Sequence, residues 1–101
     1  MTHDVVFAPE AQLDLLDLYD TIAKGGGSER ALAYVERIQA ACLRLAAFPE
    51  RGTRRDDIRP GLRVVGFERR VAIAFHVGAA TVTIDRILYG GRDLGAAFPE
   101  A

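Results

Sequence analysis

The sequence predicts an α+β fold of order β-α-α-β-β-β, in which a helical hairpin packs on one face of a small, mostly antiparallel twisted sheet. Three observations predict it. Two apolar stripes at three- and four-residue spacing flank the glycine run Gly25-Gly26-Gly27. Beyond Gly61 the period shortens to that of strands. The three β-prone runs that follow are separated by gaps of turn length, as in a meander.

Val5-Val6-Phe7 is a short β-prone run, ended by Ala8-Pro9. Pro9 pre-sets the first turn of a helix and Glu10 suits its N-terminus. Ala11, Leu15, Leu18 and Ile22 then recur at helical spacing, with Leu16, Tyr19 and Ala23 widening the stripe. Glu10, Asp14, Asp17 and Thr21 are expected on the opposite, polar face. Lys24 to Ser28 should end this helix, because consecutive glycines disfavour its continuation, and Ser28 is the expected N-cap of the next. The second stripe runs through Ala31, Tyr34, Val35, Ile38, Cys42, Leu45 and Phe48, and Pro49 with Gly52 closes it. So short a connection makes the two helices antiparallel neighbours.

After an arginine-rich connection from Arg51 to Gly61, strands are expected over Leu62–Phe67, Arg70–Val77 and Thr81–Tyr89. In the middle run Val71, Ile73, Phe75 and Val77 alternate with Ala72, Ala74 and His76, one bulky face and one small. The small face is therefore expected to be covered closely or to lie near a partner. The tail from Gly90 onward reads as irregular, docked through Leu94 and Phe98.

A length of 101 residues suits one domain spanning 1–101, with a modest core and marginal stability on its own. Half the residues are hydrophobic and 27% charged, the balance of a globular protein rather than a disordered tail. The polar start and the early Pro9 argue against a leader, and the uncharged run Val71–Ile84 is too short to span a bilayer. With one cysteine, Cys42, no intrachain disulfide can form, and a cytoplasmic protein without membrane contact is expected. The net charge of −1 conceals halves of −4 (residues 1–50) and +3 (residues 51–101), and seven arginines fall between Arg51 and Arg70. A local basic surface is expected, although each single arginine reads first as part of a solvated face; the overall charge argues against generic nucleic-acid binding, and no direct sequence-specific DNA binding is expected.

RNA cleavage through a 2′-hydroxyl needs a proton acceptor, a donor to the leaving oxygen and cations. The cations exist in Arg63 and Arg86 within strands, expected on a shared surface, and in Arg54, Arg55 and Arg59 before them. Proton shuttles are scarce. Arginine stays charged, Lys24 is the sole lysine, and the remaining groups are Tyr89 (ordinary pKa about 10), His76 and Glu68. A ribonuclease site would be made of Arg63, Arg86 and Tyr89. Arg86 reads equally well as a structural arginine paired with Glu68 or Asp85. His76 reads as a packed or half-exposed strand residue, and Cys42 as core. Two histidines far apart give no metal site, no nucleotide loop or nucleophile elbow occurs, and no cofactor is expected.

The ordered set of local patterns resembles the RelE/ParE toxin superfamily, and within it the ParE branch, over nearly the whole chain. Phe7-Ala8-Pro9-Glu10-Ala11 with Asp14-Leu15 looks like the entry into its first helix. Ala33–Ile38 followed by Leu45, Pro49 and Gly52 resembles its second helix and exit, and Leu62-Arg63-Val64 its arginine-bearing strand. Ile84 to Asp93 is similar to a closing strand that commonly reads I.RILHGRRD, with Tyr89 where many ParE-like sequences have histidine. The resemblance implies the toxin of a type II toxin–antitoxin pair that binds and poisons DNA gyrase without hydrolytic chemistry of its own. Arg63, Arg86, Tyr89 and Arg92 would then meet the target. It also implies a cognate antitoxin, ParD-like or similar, and a heterotetramer of two toxins on an antitoxin dimer; the surplus apolar width of the helical hairpin at Leu13, Leu16 and Tyr19 would suit the antitoxin's peptide. The alternatives it leaves are a RelE-like ribosome-dependent mRNA endonuclease and an inactive binding module with the toxin fold.

Overall fold

In a computed structural model, which describes residues 3–91 and 93–98, the elements are β1 (Asp4–Phe7), α1 (Pro9–Gly26), α2 (Ser28–Leu43), a 3-10 turn (Arg44–Ala46), β2 (Thr53–Arg54), β3 (Arg63–Phe67), β4 (Val71–Val77) and β5 (Thr81–Tyr89). The five strands form one mixed sheet of order β1-β5-β4-β3-β2. Strands β2 to β5 are antiparallel neighbours, and β1 pairs parallel with β5. The expected β-α-α-β-β-β order therefore holds, with the two-residue strand β2 added at one edge. No helix among the described residues is long and apolar enough to cross a membrane.

The helical hairpin covers one sheet face. Leu15 and Leu18 of α1, with Val35, Ile38 and Cys42 of α2, pack on Ile73, Phe75, Val82, Ile84 and Ile87. At about 25 cal/mol per Å² of apolar area removed from water, this layer is the main source of cohesion. Cys42 is fully buried, and burial pushes its thiol up to about 12, so it acts as a small core hydrophobe. On the other face Ile58, Leu62 and Phe98 close over Ala74. The small side chains of β4 thus let the loop and tail approach closely, and Phe98 docks as its apolar character predicts.

Four local expectations are corrected. Helix α1 runs on through Gly25 and Gly26, which keep helical geometry, and only Gly27, at φ 91°, leaves it. Gly27 both ends α1, donating to the Ala23 carbonyl, and opens α2, accepting from Ala31. Ser28 is consequently inside α2 and makes no side-chain cap. The second stripe stops with Leu45 in the 3-10 turn, and Phe48, expected to be apolar packing, is 60% exposed. Asp14, expected on the polar face of α1, is buried.

Candidate functional site

Asp14 is buried because it completes the edge of β5. Strand β1 ends at Phe7 beside Ile84, so β5 has no strand neighbour on that side beyond this point. The Ile87 N–H would be left unpaired, a cost of about 1–3 kcal/mol for a buried donor. Asp14 Oδ2 accepts it at 2.8 Å. The same carboxylate takes the Arg86 guanidinium in a bidentate pair, Nε to Oδ2 at 2.7 Å and Nη2 to Oδ1 at 2.9 Å, while Nη1 reaches the Ala97 carbonyl. Arg86 therefore pairs with neither Glu68 nor Asp85. It ties α1, β5 and the tail together. The acid of β5, Asp85, sits at a β-bulge and lies 2.7 Å from His76 Nδ1, with His76 half-exposed.

Arg63 is likewise occupied. Its Nη2 donates to the Glu50 carbonyl at 2.7 Å and its Nε to the Arg51 carbonyl at 3.1 Å, fixing the turn before β2. Directly paired residues of an antiparallel ladder share a face. Arg63 pairs with Phe75, whose ring is in the helix-side core, whereas Arg86 pairs with Ala74, which belongs to the opposite cluster. The two arginines expected on a shared surface thus leave opposite faces of the sheet. Arg92, the fourth residue of that set, lies outside the described residues.

Two of the four arginines in the connection from Arg51 to Gly61 are neutralised within it, and the other two lie over aromatic rings. Arg54 pairs with Asp56 and Arg55 with Asp57, while Arg59 stacks on Phe98 and Arg51 on Phe48. Asp56 also accepts the Gly61 N–H, and this bond, ahead of the Arg54 contact, holds its carboxyl below the ordinary value. The basic surface foreseen there is a clasped loop.

Tyr89, by contrast, opens onto a cationic cavity of about 360 Å³ lined by Ile22, Arg30, Tyr34, Arg37, Arg70 and itself. Its ring meets that of Tyr34 edge-on, centroids 6.4 Å apart at 83°. Arg37 lies 5.0 Å over the Tyr34 ring and forks onto Glu68, Nε to Oε2 at 3.1 Å and Nη2 to Oε1 at 3.0 Å. The Tyr34 hydroxyl is buried with no hydrogen-bond partner among the described residues. Burial first, then the nearby Glu68 and Tyr89, raise its pKa, so it stays a donor. Glu68 and Arg69 form the β3–β4 turn at φ 49° and 63°, left-handed values that cost a non-glycine residue roughly 1 kcal/mol each. None of Arg30, Tyr34, Arg37 or Arg70 stood out in the sequence, because they gather from α2 and a turn thirty residues away.

The helical hairpin carries a second, apolar concavity. A groove of about 460 Å³ between α1, α2 and β1 is lined by Phe7, Leu15, Leu16, Tyr19 and Val35, with Gln12 and Gln39. Of the three residues expected to meet a partner, Leu16 and Tyr19 line it, and Leu13 stands outside it, 61% exposed, one helical turn from Leu16. Leu32 and Leu43 are also more than half exposed, and their spacing puts them on the same strip of α2 as Gln39. Exposed leucines beside an apolar groove make this side of the hairpin a candidate protein-binding face. Leu32 and Leu43 went unremarked in the sequence because they fall between the stripe positions that fill the core.

The chain is thus a two-helix hairpin on a five-stranded mixed sheet, with exposed leucines along both helices. The family described as "ParE toxin of type II toxin-antitoxin system, parDE" matches residues 5–94, and the chain belongs to it. Toxin ParE3 of Caulobacter vibrioides is 34% identical over 83 residues, covering 82% of each chain. Toxin ParE1 of Mycobacterium tuberculosis is 29% identical over 94 residues, 93% of this chain and 96% of the relative. The solved structure titled "Chromosomal ParDE TA system from P. aeruginosa" superposes with a TM-score of 0.77 at 27% identity, covering 88% of this chain and 97% of the other. Membership of this toxin–antitoxin family implies an antitoxin as partner.

Proposed function

We propose that this ParE-family toxin arrests growth by binding DNA gyrase, and that its antitoxin silences it by laying an amphipathic helix along the groove between α1 and α2. The observation that carries the antitoxin half is the groove beside Leu16 and Tyr19, continued outward by Leu13, Leu32 and Leu43. Helix-in-groove recognition reads apolar anchors at three- and four-residue spacing, and this surface offers their complement. The gyrase half rests on family membership. The shortage of proton-transfer groups beside Arg63 and Arg86, both held in structural contacts, supports a toxin that works by binding. A heterotetramer built on an antitoxin dimer is the assembly that goes with this reading.

The double variant Leu13→Asp, Leu16→Asp separates docking from folding. Both side chains are exposed, so its stability should stay within about 0.5 kcal/mol of the parent. Its affinity for the co-expressed antitoxin, measured by calorimetry, should fall at least tenfold, since one charge would be desolvated in the groove and a second beside it. Unchanged affinity would remove the groove as the docking site. Supercoiling and cleavage assays with purified gyrase test the target, and no effect at large molar excess of toxin would reject it. Cleavage of message on programmed ribosomes would instead favour the mRNA endonuclease reading.

A further inference from the structure

The cavity around Tyr89 has no part in antitoxin docking as proposed above, and its chemistry points to a different ligand. Three exposed arginines from two elements line a space of about 360 Å³, within the range of small-molecule sites. Among them Arg37 is already matched by Glu68, whereas Arg30 and Arg70 have no ion-pair partner among the described residues. Two unneutralised cations are left over by a single carboxylate but balanced by a phosphate monoester, which carries about −1.5 to −2 at neutral pH. Guanidinium forks suit phosphate oxygens geometrically. Tyr34, whose buried hydroxyl is a donor without an acceptor among the described residues, lines the same cavity. Tyr34, Tyr89 and Ile22 supply apolar and aromatic surface of the kind against which a nucleobase packs. The β3–β4 turn holds Glu68 and Arg69 in left-handed geometry, where glycine or asparagine would be unstrained, and this turn carries Arg70 to the cavity and Glu68 to Arg37.

We propose that this cavity binds a phosphate monoester borne on a nucleoside, with Arg30 and Arg70 on the phosphate and the Tyr34–Tyr89 pair against the base. The source is either a free mononucleotide or the terminal phosphate of a single strand, and the two share the same recognition.

Binding is read by amide and arginine side-chain NMR shifts on the full chain, titrated at constant ionic strength. The probes are inorganic phosphate, thymidine 5′-monophosphate, a 5′-phosphorylated thymidine octamer, the same octamer with a free 5′-hydroxyl, and acetate. The mononucleotide should shift Arg30, Tyr34, Arg70 and Tyr89 and bind at least tenfold more tightly than inorganic phosphate. The phosphorylated octamer should exceed its hydroxyl form by a similar factor. An octamer tighter than the mononucleotide identifies a strand end as the source, and equal affinities identify the free nucleotide. Arg30→Gln and Arg70→Gln should each weaken binding about tenfold with an otherwise unchanged spectrum, while Arg54→Gln in the clasped loop leaves it unaltered. Equal response to acetate, equal binding of the two octamers, or an equal loss in Arg54→Gln would each overturn the proposal. So would absence of shifts at these four residues.

Discussion

Asp14 serves three donors with one carboxylate, and its removal should be felt at all of them. Its side chain is 6% exposed and that of Arg86 23%, so the pair is shielded enough for loss of one partner to matter. Asp14→Ala should cost about 3 kcal/mol in urea unfolding, leaving a guanidinium uncompensated and the Ile87 N–H unpaired. Adding Arg86→Met should restore all but about 1 kcal/mol, the residue being that amide. If the double variant is no more stable than Asp14→Ala, the ion pair is not the source of the loss. Glu68, which is exposed, gives a pH signature. Hydrogen bonding from Arg37 holds its folded pKa below the ordinary value of 4.5. The stability it contributes is therefore complete above that value and is lost as pH falls through the lower, folded one. Asp56 and Asp57 are depressed in the same direction. The urea midpoint should stay flat from neutrality to about pH 5 and then decline. Glu68→Gln should flatten part of that decline, and an identical profile would show that the Arg37 fork contributes nothing.

Among the elements, the glycines sort by the geometry each one needs. Gly25 is helical and a Cβ there would meet nothing within 4 Å, so Gly25→Ala should raise stability by roughly 0.5–1 kcal/mol, read as a higher melting temperature. Gly52 sits at φ 79°, and its Cβ would fall 2.3 Å from the Val64 carbonyl oxygen. Gly52→Ala should cost about 2 kcal/mol or more and detach β2, visible as faster exchange of its amides. A neutral Gly52→Ala would contradict the close approach of this turn to β3. These positions also mark where the sequence speaks and where it is silent. Strand β5 is legible to the residue, since Thr81 to Tyr89 is one unbroken β-prone run. Helix α1 overruns its glycines because the antiparallel packing of α1 on α2 outweighs a propensity penalty near 1 kcal/mol per residue. Strand β2 is invisible, as two residues carry no period.

At the scale of the molecule, the fold was legible because each apolar stripe has one partner surface and one economical way to bury it. The sites were not. Arg63 and Arg86 mark strands correctly, yet face parity depends on the register and on the bulge at Ala74/Phe75, which no local pattern encodes. The cavity around Tyr89 joins residues from α2 and the β3–β4 turn, a pairing only packing creates. Leu13 and Leu16 were legible as surplus width on an amphipathic helix. That surplus has a thermodynamic counterpart. With exposed leucines along both helices and a small core, the chain alone should melt below its antitoxin complex. At antitoxin a thousandfold above the dissociation constant the gain is about 4 kcal/mol, and identical melting curves would argue against a folded-state partner at this face.

The parallel pairing of β1 with β5 also governs when the protein can exist during synthesis. The first strand made has the last one as its sole neighbour in the sheet, and Asp14 must wait for Arg86 in the same way. A nascent chain therefore carries its helices and the β3–β4 hairpin for some time before the edge can be zipped shut. Until Thr81–Tyr89 has left the ribosome there is no completed poison, only a half-assembled one, and a partner already present at that moment meets it at birth.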